Sequence, residues 1–422
     1  MDHRSFLQAS TLSQKNISIL LVDHTENPAL GVRTVSGKDL RCFKKDIVCE
    51  YKFENGSFRQ ATHVVRQFIN DRPELVSPDS SAYSMFLLLI ANKLDELLCP
   101  PTAQSVKRTK QLPPSSANRN LVALRYFCHA TEAKSNADSD MRAMMSKLTE
   151  LAFECPYLMH AVIGAATTHL CRVVPNNSSY RVAEAYHWQK SIELYSKDLE
   201  IVAEHNMDKL YSTCFILTIR SFMQESFNPR ESFIFSKDPV KLNWLLVQGG
   251  LRHLLERTSH WLPQSLWYTT FMNARDPWIK YDDDRPGRVD LNPDLADLCG
   301  IESTTTLESN PYLWPLRLLS NLLPLERGTN NFRQYCNFMT RLNLGFLERL
   351  LEKDPPALII LAWWLALMDS ADVWWVETRV RSECIAICMW LEESNNSLVL
   401  RLLEFPARQC GYSLRHVNLI GA

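Results

Sequence analysis

Cys42 and Cys49 stand in LRCFKKDIVCEYKF with six residues between them, and the pair encloses Lys44 and Lys45. Thiolates are soft, charged and compact, the character Zn²⁺ prefers in structural sites. A lone C-x6-C is a weak metal signal, however, and two unrelated loop thiols give the same spacing. Residues 1–41 contain no cysteine, and Asp39 occupies the place three residues before Cys42. Cys384 and Cys388 in RSECIAICMWLEE share one helix face, and no His or carboxylate completes a ligand set nearby. Free Cys behaves as a small buried hydrophobe, so core packing is the expectation there. His129, His160, His169, His187 and His253 form no H-E-x-x-H or H-x3-5-H pattern and read as structural or surface residues. Asp282-Asp283-Asp284 runs into Arg285-Pro286-Gly287, a turn. The helical D-D-x-x-D that would hold Mg²⁺ in an all-helical lipid-synthesising enzyme needs its carboxylates on one helix face. A solvated acidic loop is expected instead. With no G-x-S-x-G elbow, P-loop or G-x-G-x-x-G in the chain, no enzymatic constellation emerges.

The remaining candidate is a pocket. Trp244, Trp363, Trp364, Trp374 and Trp375 offer more aromatic surface than a plain bundle needs. Gly249-Gly250 interrupts the helical pattern of WLLVQGGLRHLL, where each Gly costs ~1 kcal/mol relative to Ala. Such a pair marks a kink, a close backbone approach or the wall of a cavity. Aromatic-lined apolar hollows with few polar groups are the usual small-molecule sites. Trp244, Leu245, Gly249, Gly250, Leu251, Trp363 and Trp364 are therefore candidate ligand-binding residues. The competing account is that these Trp side chains pack against one another and leave no space.

Composition indicates what must position such a site. Apolar residues make up 46% of the 422, ample for a large core, and the 12 Gly fall well short of the ~7% of average usage. Architectures that turn often are disfavoured, and helices are favoured. The net charge of −1 supplies no global field toward DNA or a membrane, so nucleic-acid binding would need a local basic element. Twelve Cys without a secretory signal in Met1–Leu30 point to reduced thiols inside the cell. The longest apolar run, Ala357–Met368, has twelve residues where a membrane span takes ~20, so it reads as a helix buried on all sides and no span is expected.

Residues 1–41 read as an irregular leader and 52–120 as a breaker-rich linker holding one apolar helix over Tyr83–Leu98 and a small basic patch, Lys107–Lys110. From Leu121 onward the pattern is helical, giving an all-α fold over 121–415. Helices are expected over 121–130 and 141–154, and from Pro156, at a first helical position, to just before Pro175. In the next helix Ala185, Trp188, Ile192, Tyr195, Leu199 and Val202 form one apolar stripe at steps of three and four. Further helices are expected over Leu210–Met223, Trp244–Glu256, Tyr312–Leu322, Phe332–Glu352, Ala357–Val376 and Arg379–Glu393.

Three stretches resemble the regulatory domain of fungal zinc-cluster transcription factors, the sterol uptake control type in particular. They are LVALRYFCHATEAKSNADSDMRAMMSKLTELAFECPYLMHAVIGAATTHL, NWLLVQGGLRHLL, and the run from LLEKDPPALIILAWWLALMDSADVWWVETRVRSECIAICMWLEE to LLEFPARQCGY. In that family six cysteines hold two Zn²⁺ in the order C-x2-C-x6-C, a loop, then C-x2-C-x6-C. Cys42 and Cys49 match the fifth and sixth ligands, so 42–51 resembles the tail of a cluster whose other ligands have no counterpart here. The resemblance implies an all-helical regulatory domain, a sterol or other lipid ligand in some members, nuclear location with shuttling, and homo- or heterodimers. It also implies zinc and DNA binding through an intact cluster. A relative without that cluster would act through protein contacts alone.

Overall fold

The computed structural model describes residues 81–98, 119–128, 139–269 and 283–415. Cys42 and Cys49, the expected leader, the basic patch Lys107–Lys110 and His129 lie outside the described residues. Every regular element among the described residues is helical, with no strand, as the scarcity of Gly and the helical periodicity anticipate. No described helix is long and apolar enough to cross a membrane. The chain divides into two compact units, one within residues 21–194 and one formed by residues 195 onward.

The first unit is built on α4, Pro156–Val173, with α1 (Ser81–Leu98) and α3 (Ser139–Ala152) packed against it. A short helix, α2, covers 119–128. Pro156 occupies the first turn of α4, where its missing N–H costs nothing, and the helix stops before Pro175 as expected. α1 buries Ile90, Leu94 and Leu98, a single stripe at steps of four. α5, Ser178–Asp198, is the helix whose stripe the sequence placed on Ala185, Trp188, Ile192, Tyr195, Leu199 and Val202. The helix ends before Leu199 and Val202, and Ala185 is exposed. Trp188 and Tyr195 are buried as expected, and His187 and Ser191 complete the buried face. Apolar periodicity missed half of this face because that half is polar and held by hydrogen bonds.

Those bonds run to α4. The Trp188 indole N–H donates to Thr168 Oγ1 at 3.0 Å, and Ser191 Oγ donates to the Tyr157 carbonyl at 2.9 Å. Thr168 in turn donates to Glu184 at 2.7 Å. Gly164 lets the two helices approach, because a Cβ there would meet the Trp188 ring at 2.9 Å.

The second unit begins with α6, Met207–Phe222, followed by short 3-10 turns. The expected helix over Trp244–Glu256 is broken where the Gly pair stands. α7 (Asn243–Leu246) passes through a 3-10 turn, Val247–Gly249, into α8 (Gly250–Arg257). α9 (Pro293–Leu298) and α10 (Leu313–Leu322) follow. The single helix expected over Phe332–Glu352 is two, α11 (Phe332–Thr340) and α12 (Leu344–Leu351). Asn343 divides them: its side chain caps α12 by accepting from the Phe346 N–H at 2.8 Å, a bond available only to a residue outside the helix.

α13, Pro355–Asp369, is the core of this unit. Every residue from Ala357 to Met368 is buried except the half-buried Trp363. It packs against α9 to α12 and against α14 (Glu377–Leu391) and α15 (Ser397–Cys410). A helix sheathed on all sides is apolar all round, which is how its sequence reads. It stops at Asp369 and not at Val376, since the chain turns through Ser370 and Ala371 into Asp372, which adopts φ +50°. α15 is not among the expected helices; Pro406 lies inside it, Asn396 caps its start and Gly411, at φ +73°, its end.

Candidate functional site

The candidate ligand-binding residues fall in the second unit, and they do not all meet. Phe222, the last residue of α6, is fully buried and receives three rings edge-on: Trp244 at 5.2 Å, Trp375 at 5.7 Å and Trp364 at 6.3 Å between centroids. Trp364 also stacks on Phe338 at 5.1 Å and donates its indole N–H to the Tyr335 carbonyl at 2.8 Å. Its neighbour Trp363 points elsewhere, donating to the Leu402 carbonyl at 2.9 Å and lying 4.8 Å from the Phe405 ring. Leu245 and Gly250 are buried, and Leu251 is half-buried.

Two features distinguish this cluster from plain core. Trp244 is 3% exposed and Asn243 4%, yet the Trp244 indole N–H and the Asn243 side-chain amide nitrogen have no hydrogen-bond partner. Leaving a buried donor unmade costs ~1–3 kcal/mol, which makes both groups exceptions within the core. Gly249, five residues on, has nothing within 4 Å of where a Cβ would stand, and its φ of −70° is ordinary helix. The backbone there does not require Gly, and Gly249 is half-buried with open space beside it.

The polar frame around Trp244 was not anticipated. Arg379 of α14 lies over the Trp244 ring at 5.5 Å and donates to the Phe222 and Met223 carbonyls at 3.2 and 3.3 Å, closing the end of α6. Its remaining charge meets the fully buried Glu383 one turn on, at 3.3 Å. Burial raises the Glu383 pKa, and Arg379 opposes that rise. Ser232 donates to the second Glu383 oxygen. The signal available in the sequence was Arg379 and Glu383 four apart in one helix, a spacing at which opposite charges meet.

Gln248 explains the 3-10 turn. It is 2% exposed, and its amide donates to the Trp244 and Thr218 carbonyls at 2.8 and 3.2 Å.

The other sequence candidates resolve as follows. Cys384 and Cys388 are fully buried, and their cluster includes Cys410 of α15. Burial pushes the Cys384 thiol well above its usual pKa, which makes it an inert, packed thiol. His160 and His187 join Nδ1 to Nδ1 at 2.9 Å inside the first unit, while His169 pairs with Tyr126. The acidic loop is corrected. Asp282 lies outside the described residues; Asp284 is exposed and 283–286 is not helical, but Asp283 is 7% exposed and ion-paired to the buried Arg317 at 3.1 Å.

No family model matches the chain. It is similar to the Sterol uptake control protein 2 of Saccharomyces cerevisiae (strain ATCC 204508 / S288c), 24% identical over 263 residues that cover 58% of this chain. The chain spans about a quarter of the length of that curated relative, 27%. The similarity marks a distant relationship.

Proposed function

We propose that this chain is a transcription regulator of the fungal zinc-cluster kind whose helical region senses a sterol or another lipid. The observation that carries the regulatory reading is its similarity to a sterol uptake control protein over more than half of its length. For the ligand, support comes from the Trp244 environment: apolar rings on one side, open space at Gly249, and unpartnered buried donors at Trp244 and Asn243. A sterol fits that chemistry, with a large apolar body and one hydroxyl that can accept a hydrogen bond. The site consists of Trp244, Leu245, Gly249, Gly250 and Leu251, with Trp364 supporting it through Phe222. Regulation of this kind is nuclear, with shuttling, and uses homo- or heterodimers, in which contact with DNA falls to an intact zinc cluster. A second reading has its own observation. Only Cys42 and Cys49 of the zinc-cluster pattern are present, which favours a relative that acts through protein contacts, paired with an intact factor.

The test is to purify the full chain from a eukaryotic host, extract bound lipid, and follow its melting against a sterol panel. Ligand at a hundred times its dissociation constant should stabilise by ~2.7 kcal/mol, a rise of a few degrees. Gly249→Phe, which fills the open space, should abolish that rise while leaving the unliganded melting temperature nearly unchanged. No co-purifying lipid together with no shift across the panel would leave a packed core and no sensor.

A further inference from the structure

Between α6 and α7 the chain forms no α-helix. Residues 228–242 make three 3-10 turns instead, Pro229–Glu231, Phe233–Phe235 and Pro239–Leu242, the first two laid along α14. Asn228, Ser232 and Asp238 cap these turns with their side chains, each accepting from the N–H two residues on, at 3.2, 3.2 and 3.0 Å. The strap's backbone-to-backbone hydrogen bonds are all local, and among the described residues none reaches the backbone of another element before α7. The strap therefore keeps its own turns whether or not it lies on α14.

Three hydrogen bonds join it to the rest of its unit. The Asn228 N–H donates to Ser382 Oγ at 3.1 Å, Ser232 donates to Glu383, and Lys353 Nζ donates to the Ser236 carbonyl at 2.8 Å. Under the first two, Ser382 and Glu383 are each 1% exposed. The third starts from a fixed point. Lys353 turns the chain between α12 and α13 at φ +59°, an uncommon left-handed position for a residue other than Gly. Its ammonium also lies 5.4 Å over the Trp390 ring, which meets Phe235 edge-on at 6.1 Å, and both rings are 42% exposed. Before Leu242 at its end, the strap buries only two apolar side chains, Phe233 and Ile234. A segment with its own hydrogen bonds and so few anchors opens as a unit, short of global unfolding.

The strap runs straight into Asn243 and Trp244, whose unpartnered donors are sealed from the surface in this conformation. Its Ser232 shares Glu383 with Arg379, and Arg379 lies on the Trp244 ring. We propose that residues 228–242 are a lid on α14, held shut by Lys353, whose opening uncovers Glu383, Arg379 and with them the face of Trp244. The lid stands on this geometry alone. Its use as a ligand gate rests on the sterol reading.

Hydrogen–deuterium exchange on the full chain reads such opening directly. In the parent, peptides covering 228–236 should be protected yet exchange well ahead of α13. Lys353→Met keeps the apolar stem and removes the charged donor. It should speed exchange throughout 228–236 by about tenfold, the scale of one lost hydrogen bond to a charged group, and leave α13 and α15 unchanged. Lys353→Arg should restore most of the protection. If Lys353→Met does not fold, Trp390→Leu, at an exposed position, should speed the same peptides several-fold. A strap unprotected in the parent, one that exchanges only together with α13, or no acceleration in either variant overturns the lid. With a sterol as ligand, Lys353→Met should quicken association and dissociation alike and leave the dissociation constant nearly unchanged. Faster exchange with no sterol binding keeps the lid and sinks the sterol reading. Sterol binding with unaltered exchange does the reverse, and faster exchange with unaltered sterol rates overturns the uncovering of Trp244.

Discussion

At the scale of single residues, the His160–His187 pair sets a sharp electrostatic expectation. His187 Nε2 lies 3.1 Å from Asn120 Oδ1, an acceptor, so that nitrogen carries the proton. In the neutral ring Nδ1 is then bare, and it accepts from His160 Nδ1–H. His187 cannot take a second proton, on Nδ1, without breaking this buried bond. Burial first, then the Lys190 charge, lowers His160 to about 4; burial, then His160 itself, lowers His187 to about 3. The Tyr186 ring also packs edge-on against both imidazoles. The sign follows. The unfolded chain takes up protons below its ordinary value of ~6.5 while the folded pair does not, so stability is full above that pH. It falls as pH drops from about 6.5 to the folded values. In an NMR titration both imidazoles should remain neutral at pH 5; either one titrating near 6.5 would sink this arrangement. The bland reading of these histidines from sequence, as structural residues, is right in kind. What pairs them is invisible to motif rules, since His160 and His187 meet only once α4 and α5 dock.

At the scale of helices, the sequence was legible where apolar pattern alone decides burial and illegible where polar bonds do. α13 is apolar on every side and buried on every side, so its place in the core could be read directly. Pro156 announced the start of α4. By contrast α5 buries His187 and Ser191, which hydropathy counts as solvent-facing, so only the Trp188 and Tyr195 half of its buried face was legible. The break at Asn343 and the stop at Asp369 each depend on a capping bond or a left-handed residue that competes with a continuing helical pattern. In the candidate pocket, the Trp and Gly positions stood out as residue types, but Asn243, Arg379 and Glu383 did not, because their roles arise from contacts between α6, α7 and α14. The same logic yields a prediction for α4. Gly164→Ala gains ~1 kcal/mol of helix propensity. The new methyl, however, would lie 2.9 Å from a Trp188 ring fixed by its bond to Thr168, and overpacking of this kind costs ~1–3 kcal/mol. The cost exceeds the gain over most of that range. Gly164→Ala should therefore destabilise the chain by up to ~2 kcal/mol in chemical denaturation. Adding Trp188→Leu should recover part of the Ala effect, and a stabilised single variant would mean that the two helices yield more easily than the contact implies.

At the scale of the whole molecule, the question is whether this polypeptide can bind metal and DNA by itself. Its net charge of −1 gives no long-range attraction to a phosphate backbone. Affinity would have to arise from Lys44, Lys45 and the short patch Lys107–Lys110. A structural zinc site is tetrahedral and takes four ligands, and the zinc-cluster pattern here provides two, Cys42 and Cys49. One chain therefore cannot close even a single such site with these thiols. After dialysis against a mild chelator the chain should retain no stoichiometric zinc by elemental analysis. Its DNA affinity at physiological salt should stay in the non-specific range, ~10⁻⁴–10⁻⁶ M, and be unchanged in Cys42→Ser/Cys49→Ser. The informative exception has a definite stoichiometry. Two copies contribute four thiolates between them, enough for one shared ion. Half a zinc per chain, lost together with dimerisation in the double variant, would replace this prediction with a metal-bridged dimer. One or more zinc ions per chain, retained in a monomer, would contradict both.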